Sequence, residues 1–166
     1  MNIFRRLFAK ETVLQDSATS LLCNEHSFYE QFMKDLLQAK EEVIVESPYI
    51  TMKRLKTLMP IFSQLTEKNV TLFIITRDPR EHDEVMSVQS ERGIRWFENM
   101  GIQVLIEGGG HHRKLAMIDK RITYEGSLNI LSQSQSREFM RRIACKKLTR
   151  ELFKFLGYDR FAGCDV

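Results

Sequence analysis

The chain has 166 residues, of which 43% are hydrophobic and 28% are charged, and its formal net charge is +3. This length and composition fit one domain with a buried core and exclude a disordered chain. The mildly basic charge allows a polyanionic partner but does not require one. No apolar run approaches the roughly 20 residues of a membrane span, and the first ten residues lack the apolar centre of a signal peptide.

The cysteines bear on the cellular compartment. Cys23, Cys145 and Cys164 are odd in number and widely spaced, without a C-x-x-C pair or a His/Cys cluster. Neither a disulfide framework nor a zinc site is indicated. We therefore expect reduced thiols in a soluble cytoplasmic protein, no association with a membrane, and neither a metal nor another cofactor.

The first half of the chain alternates helical and strand patterns. Residues 1–23 show no clear period and are expected to form an N-terminal arm or a packing segment. Three helices are predicted, at about 27–40, 51–65 and 85–100. Pro60 predicts a kink or a break in the second helix, and Gly101 predicts the end of the third. Buried strands are predicted at 43–45, 70–76 and 102–106.

The second half follows a different pattern. Gly108-Gly109-Gly110 predicts a flexible approach to a hairpin, in which two antiparallel strands flank Asp119-Lys120-Arg121. A last strand is expected at 139–145 and a closing helix that ends at Gly157. We therefore expect one α/β domain over residues 1–166, with a mixed, largely parallel sheet flanked by helices on both faces.

The residues with the clearest chemistry lie around this hairpin. They follow the pattern H-x-K-x4-D-x6-G-S-x-N, formed by His112, Lys114, Asp119, Gly126, Ser127 and Asn129. Residues two apart in extended backbone point to the same side, so His112 and Lys114 can face one phosphate. Ser127 and Asn129 repeat that spacing after the next strand. The hairpin brings the two pairs together, which predicts a phosphodiester site with one imidazole, one cation and two neutral donors.

This pattern resembles the HKD motif of the phospholipase D superfamily. The resemblance is most specific over residues 112–129 and covers about 24–157 in element order. The family builds its active site from two such motifs, and this chain has one. Among family members, single-motif chains of this size resemble small bacterial nucleases and the nuclease domains of metal-independent restriction enzymes. Those proteins pair two identical chains, so the resemblance implies a homodimer and a metal-independent phosphodiesterase.

The proposed chemistry is covalent. His112 attacks phosphorus and forms a phosphohistidine, and a second histidine protonates the leaving oxygen and then activates water. An unperturbed imidazole has a pKa of about 6.5, so the neutral form that attack requires is accessible near neutral pH. Lys114 and Asn129 are expected to stabilise charge on the non-bridging oxygens, and Ser127 adds a donor.

Two carboxylates complete the candidate set. Family members orient the nucleophilic histidine with a carboxylate beyond the asparagine, and Glu138 is the candidate for that role here. Asp119 belongs to the motif, but it lies at the hairpin turn and is distant along the strand from His112. We expect Asp119 to be structural, as an anchor for the turn or for a group of a partner chain.

The second histidine is missing from a single chain. His26, His82 and His111 are available, but none belongs to a second H-x-K pattern. His111 is adjacent to His112, so on a strand it faces away from the site. We therefore expect His112 of a second copy to complete the site across a two-fold axis.

The motif indicates the reaction but not the substrate. A nuclease acting on DNA or RNA is favoured, and two groups of basic residues either follow a nucleic-acid backbone or form solvated surfaces. They are Lys53, Arg54 and Lys56 in the second helix and Arg137, Arg141, Arg142, Lys146, Lys147 and Arg150 after the motif. Two alternatives stay open: a phospholipid phosphodiesterase, and a non-catalytic nucleic-acid-binding or dimerisation module of a larger machine.

Overall fold

The computed structural model describes residues 18–132 and 135–163. Within these residues the strands are β1 (Thr19–Asn24), β2 (Glu42–Glu46), β3 (Thr71–Arg77), β4 (Gln103–Glu107), β5 (Leu115–Ile118), β6 (Ile122–Gly126) and β7 (Phe139–Ala144). The α-helices are α1 (Ser27–Leu37), α2 (Met52–Glu67), α3 (Glu84–Asn99) and α4 (Lys146–Phe155). Short 3-10 helices follow β3 and α4, at Pro79–Glu81 and Tyr158–Arg160. Cys164 lies outside the described residues.

The strands form one mixed sheet in the order β1-β7-β6-β5-β2-β3-β4. The expected parallel core is confirmed for β2, β3 and β4, which α2 and α3 connect as crossovers. The sheet is mixed, as expected, but it is not largely parallel. The pairs β2–β5, β5–β6, β6–β7 and β7–β1 are all antiparallel. A hairpin joins β5 to β6, and such a short connection can join only antiparallel strands.

Helices cover both faces of the sheet, as expected. Alternate residues of β2 point to opposite faces, so Val43 and Val45 enter one core and Ile44 enters the other. The larger core lies between the sheet and α1–α3 and contains Phe28, Phe32, Leu58, Phe62 and Phe97. The smaller core lies beneath α4 and the 3-10 helix after it, and contains Phe73, Phe153 and Tyr158.

The N-terminal part of the chain differs from the expected arm. Thr19–Asn24 form the edge strand β1, which pairs antiparallel with β7. Only Cys23 of this strand is buried, whereas Leu21 and Leu22 are exposed. The apolar residues of β1 therefore lack the alternation by which a half-buried strand is found in a sequence. Residues 1–17 lie outside the described part.

Local signals predicted most helix ends correctly. The Thr51 hydroxyl accepts from Arg54 N at the start of α2, and Gly101 and Gly157 adopt the left-handed conformation beyond α3 and α4. Pro60 lies inside α2, which continues through it as one helix. None of the described helices combines the length and apolar character that crossing a membrane requires.

Candidate active site

A cavity of about 640 Å³ opens where β5 begins, β6 ends and β7 begins. This edge of the sheet also holds the carboxyl ends of the parallel strands, where α/β sheets commonly place their sites. Five of the six sequence-predicted site residues line the cavity: His112, Lys114, Ser127, Asn129 and Glu138. Leu152 and Leu156, from α4 and its C-terminal end, close one side.

His112 and Lys114 lie against each other on the segment before β5. The Lys114 Nζ is 2.9 Å from His112 Nδ1 and 3.3 Å from His112 Nε2, and it donates to the His112 carbonyl oxygen at 2.8 Å. Loss of solvation and the Lys114 ammonium, followed by the charge of Arg77, lower the pKa of His112 below its usual value. The imidazole is therefore neutral near pH 7, as a nucleophile must be.

Ser127 and Asn129 form the facing wall. The Ser127 hydroxyl oxygen accepts from Phe139 N at 3.2 Å, which leaves its own proton to donate into the cavity. The side-chain oxygen of Asn129 is buried and has no hydrogen-bond partner among the described residues. An unused amide oxygen on a cavity wall accepts from a donor, whereas the NH2 group of the same side chain is the part that donates to a phosphate.

Glu138 lies in the cavity wall but not against the imidazole. Its charge acts on Lys114, where it opposes the lowering of the lysine pKa by burial. No hydrogen bond joins Glu138 to His112 in the part of the chain that the structure describes. The geometry therefore brings Glu138 into the site beside the cation, and the orienting contact with His112 stays a prediction.

Asp119, which belongs to the motif and is expected to be structural, does not line the cavity. It lies at the far end of β5, where its carboxylate accepts the backbone N–H groups of Lys40, Glu41 and Glu42 at 2.8–3.1 Å. These bonds tie the hairpin turn to the start of β2. The motif aspartate is therefore a structural anchor within its own chain, as its place in the turn indicates.

The glycine run before the motif is held in place. The Glu81 carboxylate accepts from Gly109 N at 2.7 Å and from Gly110 N at 3.0 Å, and it also pairs with Arg77. Gly109 and Gly110 have positive φ angles of 73° and 76°. Residues with a Cβ atom rarely adopt such angles, so both positions favour glycine. The segment that we expected to be a flexible approach to the hairpin is therefore a loop whose backbone conformation favours glycine. Glu81 ties this loop to the end of β3.

Three residues outside the fixed positions of the motif form a network beside His112, and sequence reasoning missed them. Arg113 lines the cavity and pairs with the buried Glu46 at the end of β2, and Tyr158 donates to the same carboxylate. Arg113 occupies the variable position of H-x-K, and the other two lie far from the motif along the chain. The only sequence signal was a glutamate inside an apolar strand, which requires a buried partner.

The other histidines divide as follows. His111 faces away from the cavity, as predicted, and its side chain is buried beside Glu46. His26 is exposed next to Glu25. His82 packs its ring on Tyr49, whose ring also meets that of His112 at a centroid distance of 6.3 Å. None of the three reaches the position of a second catalytic histidine opposite His112 in the described cavity wall.

The basic residues do not act as one group. Arg142 is paired with Asp35 inside the sheet, and the Arg54 guanidinium lies 3.6 Å from the centre of the Tyr29 ring. A basic surface remains on α4, where a concavity of about 510 Å³ is lined by Lys146, Lys147, Arg150, Glu151 and Lys154. Leu152 and Leu156, which line the cavity at His112, lie on the opposite face of the same helix.

The described residues contain no group of three or more His, Cys, Asp or Glu side chains placed to hold a metal ion. Cys23 and Cys145 are buried free thiols. The cavity therefore offers an imidazole, cations, a hydroxyl and an amide, which together match a bound phosphate group.

Comparison with solved structures identifies the fold. Nuc of Salmonella typhimurium, a phospholipase D family member, superposes with a TM-score of 0.70 at 15% identity, over 90% of this chain and 98% of that one. NucT of Helicobacter pylori gives 0.69 at 14% identity, over 83% and 92%. The phosphatidylserine synthase of Haemophilus influenzae gives 0.66 at 16% identity, but only 40% of that chain is covered.

Comparison at the sequence level adds the family. A search of curated protein sequences finds no match. The family model described as "Cardiolipin synthase, PLD-like domain" matches residues 32–156, which include the motif and most of the sheet. The chain therefore belongs to the phospholipase D superfamily of phosphodiesterase-type enzymes.

Proposed function

We propose that the protein is a metal-independent nuclease that cleaves DNA or RNA through a phosphohistidine intermediate. The observation that carries this proposal is that His112, Lys114, Ser127 and Asn129 all line the same cavity. Nuc and NucT, which share the fold over most of both chains, support the choice of a nuclease. At 14–15% identity they show the fold alone, so the substrate is part of the proposal.

The first step forms a bond from His112 to phosphorus and breaks the bond to the leaving oxygen. Lys114 moves from the imidazole to a non-bridging oxygen, and the Ser127 hydroxyl and Asn129 amide donate to the same phosphoryl group. The electron pair of the broken bond stays on the leaving oxygen, which takes a proton from a second histidine. Water then attacks phosphorus, gives its proton to that histidine, and releases His112.

We place the second histidine on a second copy of this chain, at a site shared across a two-fold axis. Apolar side chains beside the cavity support this arrangement. Phe139, which directly follows Glu138, is 53% exposed, and Phe155 of α4 is 85% exposed. A monomer rarely leaves neighbouring aromatic side chains in water around its site, whereas a second copy would bury them.

The basic surface of α4 favours a nucleic acid over a lipid. Lys146, Lys147 and Lys154 present charge along the side of α4 opposite Leu152 and Leu156, without a described acidic partner, so a long polyanion that passes around this helix from the cavity would meet them. A phospholipid phosphodiesterase is the second candidate, because exposed Phe155 could enter a bilayer surface. A non-catalytic binding module is the third, and it predicts binding without turnover.

The test is cleavage of single- and double-stranded DNA and of RNA in excess EDTA, beside His112→Ala. Cleavage by the wild-type protein alone supports the proposal, and acid quenching should trap phosphate on a histidine. Cleavage of phospholipid in mixed micelles would favour the second candidate. Salt-sensitive DNA binding without cleavage of any substrate would favour the third.

Mixed dimers test the shared site. Wild-type and His112→Ala chains are combined in equal amounts and refolded together. If each site needs both copies of His112, only pure wild-type dimers are active, and activity falls to about a quarter of that of an all wild-type sample. Independent sites would retain about half, which would contradict the shared-site proposal.

A further inference from the structure

One buried carboxylate contacts both neighbours of His112. Glu46, at the end of β2, is fully buried. Its Oε1 accepts from Arg113 Nε at 2.9 Å and lies 2.8 Å from Arg113 Nη2. The same oxygen is 3.3 Å from His111 Nε2, and the His111 side chain is only 7% exposed. Glu46 therefore holds Arg113, directly after His112, by hydrogen bonds, and it lies beside His111 without a hydrogen bond to its Nε2.

The second oxygen of Glu46 is held by the element that follows α4. Tyr158 donates its hydroxyl to Glu46 Oε2 at 2.6 Å, and the ring is buried against Phe153 and Phe161. Burial and the charge of Glu46 raise the pKa of this phenol, so it remains a donor. The carboxylate thus links β2, the segment that carries His112, and the part of the chain that closes the cavity.

We propose that Glu46 is a positioning residue of this active site, which sets the direction of His112 through Arg113. This inference rests on the proposed role of His112 as the nucleophile. His112 lies on a segment that precedes β5 and has no strand partner of its own, so side-chain contacts must fix its orientation. Glu46 is fully buried and is not among the residues that line the cavity, so its effect on His112 is indirect.

A contribution to stability alone does not explain this arrangement. Removing a carboxylate from water costs several kcal/mol, and a buried ion pair is often no more stabilising than apolar residues of the same volume. In the sheet, Glu46 is paired with the apolar residues Ile75 and Leu115, both of which belong to the smaller core. The carboxylate instead has its hydrogen-bonding partners at Arg113, directly after His112, and at Tyr158.

The chain contains a matched control for this network. Tyr124, Asp35 and Arg142 form a second tyrosine–carboxylate–arginine group, in which the phenol and the guanidinium both donate to the carboxylate. Asp35 lines a depression with Asp119, at the opposite end of the sheet from the cavity. The two networks have the same chemistry and similar burial, but only one of them contacts the neighbours of His112.

The experiment compares Glu46→Gln and Tyr158→Phe with Asp35→Asn and Tyr124→Phe. For each full-length variant we would measure Tm, KM, the single-turnover cleavage rate and the NMR signals of the His112 imidazole. Glu46→Gln should lower the rate on the order of 10- to 100-fold, with KM unchanged, because the nucleophile is misdirected. Tyr158→Phe should cause a smaller loss, and both should shift the His112 signals.

The control variants should lower Tm by comparable amounts and leave the cleavage rate and the His112 signals unchanged. The inference is overturned if folded Glu46→Gln loses no more rate than Asp35→Asn, or if its His112 signals stay in place. If Glu46→Gln does not fold, Tyr158→Phe decides by the same two readouts. If the wild-type protein cleaves no phosphodiester, the proposed function fails, while the NMR comparison still tests the positioning.

Discussion

Replacement of Asp119 should destabilise the protein without impairing its chemistry. The carboxylate accepts N–H groups from Lys40, Glu41 and Glu42. Hydrogen bonds to a charged group contribute about 1.5–3 kcal/mol each, but Lys40 and Glu41 are exposed and can bond to water instead. We therefore expect Asp119→Ala to lose about 2–4 kcal/mol, to which strain adds about 1 kcal/mol because φ at this position is 50°.

Asp119→Asn separates these contributions. Asparagine tolerates the left-handed conformation and keeps one acceptor oxygen, so we expect a loss of about 1–2 kcal/mol. For a chain of this size, each kcal/mol corresponds to about 2–4 °C in Tm. The matched control is Asp159→Asn, an exposed carboxylate in the last 3-10 helix, which should leave Tm unchanged.

The assay is urea unfolding with a common m-value, together with kcat measured well below each Tm. Both Asp119 variants should retain kcat within about twofold once folded. If Asp119→Asn kept full stability but lost cleavage activity, the assignment of the motif aspartate as a structural anchor would be refuted. That result would require Asp119 to act at a site formed with another chain.

Three further predictions concern the surroundings of the cavity. Gly126→Ala should lose roughly 2 kcal/mol or more, measured by urea unfolding, because an added Cβ would overlap the Phe139 carbonyl oxygen between β6 and β7. Burial lowers the pKa of His111, so the unfolded chain binds its proton first on acidification. The stability that neutral His111 contributes is therefore complete above about pH 6.5, the pKa of an unfolded histidine, and is lost as the pH falls through the lower pKa of the folded state. His111→Asn should reduce the change in the free energy of unfolding between pH 7.5 and 5.5, measured by urea unfolding. Glu81→Gln should raise hydrogen exchange at Gly109, and unchanged exchange would contradict the proposed tether.

The sequence was sufficient for features that depend on neighbouring residues. His112 and Lys114 are two apart directly before β5, and Asp119 sits in a turn whose strands flank it directly. The spacing of these residues predicts how their side chains are placed relative to one another, because strand alternation and hairpin closure depend only on nearby residues. The cavity, the motif's two pairs of side chains and the structural place of Asp119 all follow from those rules.

The sequence was insufficient where partners come from distant segments. Glu46 and Tyr158 meet Arg113 only after β2, β5 and the end of α4 have packed together. The tether between Glu81 and the glycine loop is likewise invisible in either segment alone. Local patterns could not predict that β5 runs antiparallel beside β2, because the order of strands is a property of the whole sheet. The direction of β5 in turn decides how many strand pairs are parallel and how many are antiparallel.

The strand order has a consequence for how the molecule assembles. β5 pairs with β2, and β1 pairs with β7. Folding must therefore bring together residues that are far apart in the chain, such as Val43 with Ile118 and Thr19 with Ala144. Such distant pairings carry a large loop-closure entropy and slow folding to the range of milliseconds to seconds. β2, β3 and β4 with their helices can collapse early, whereas the cavity exists only after β7 has joined. A chain emerging from the ribosome therefore lacks the complete cavity until β7 and α4, which supply Leu152 and Leu156, have been made.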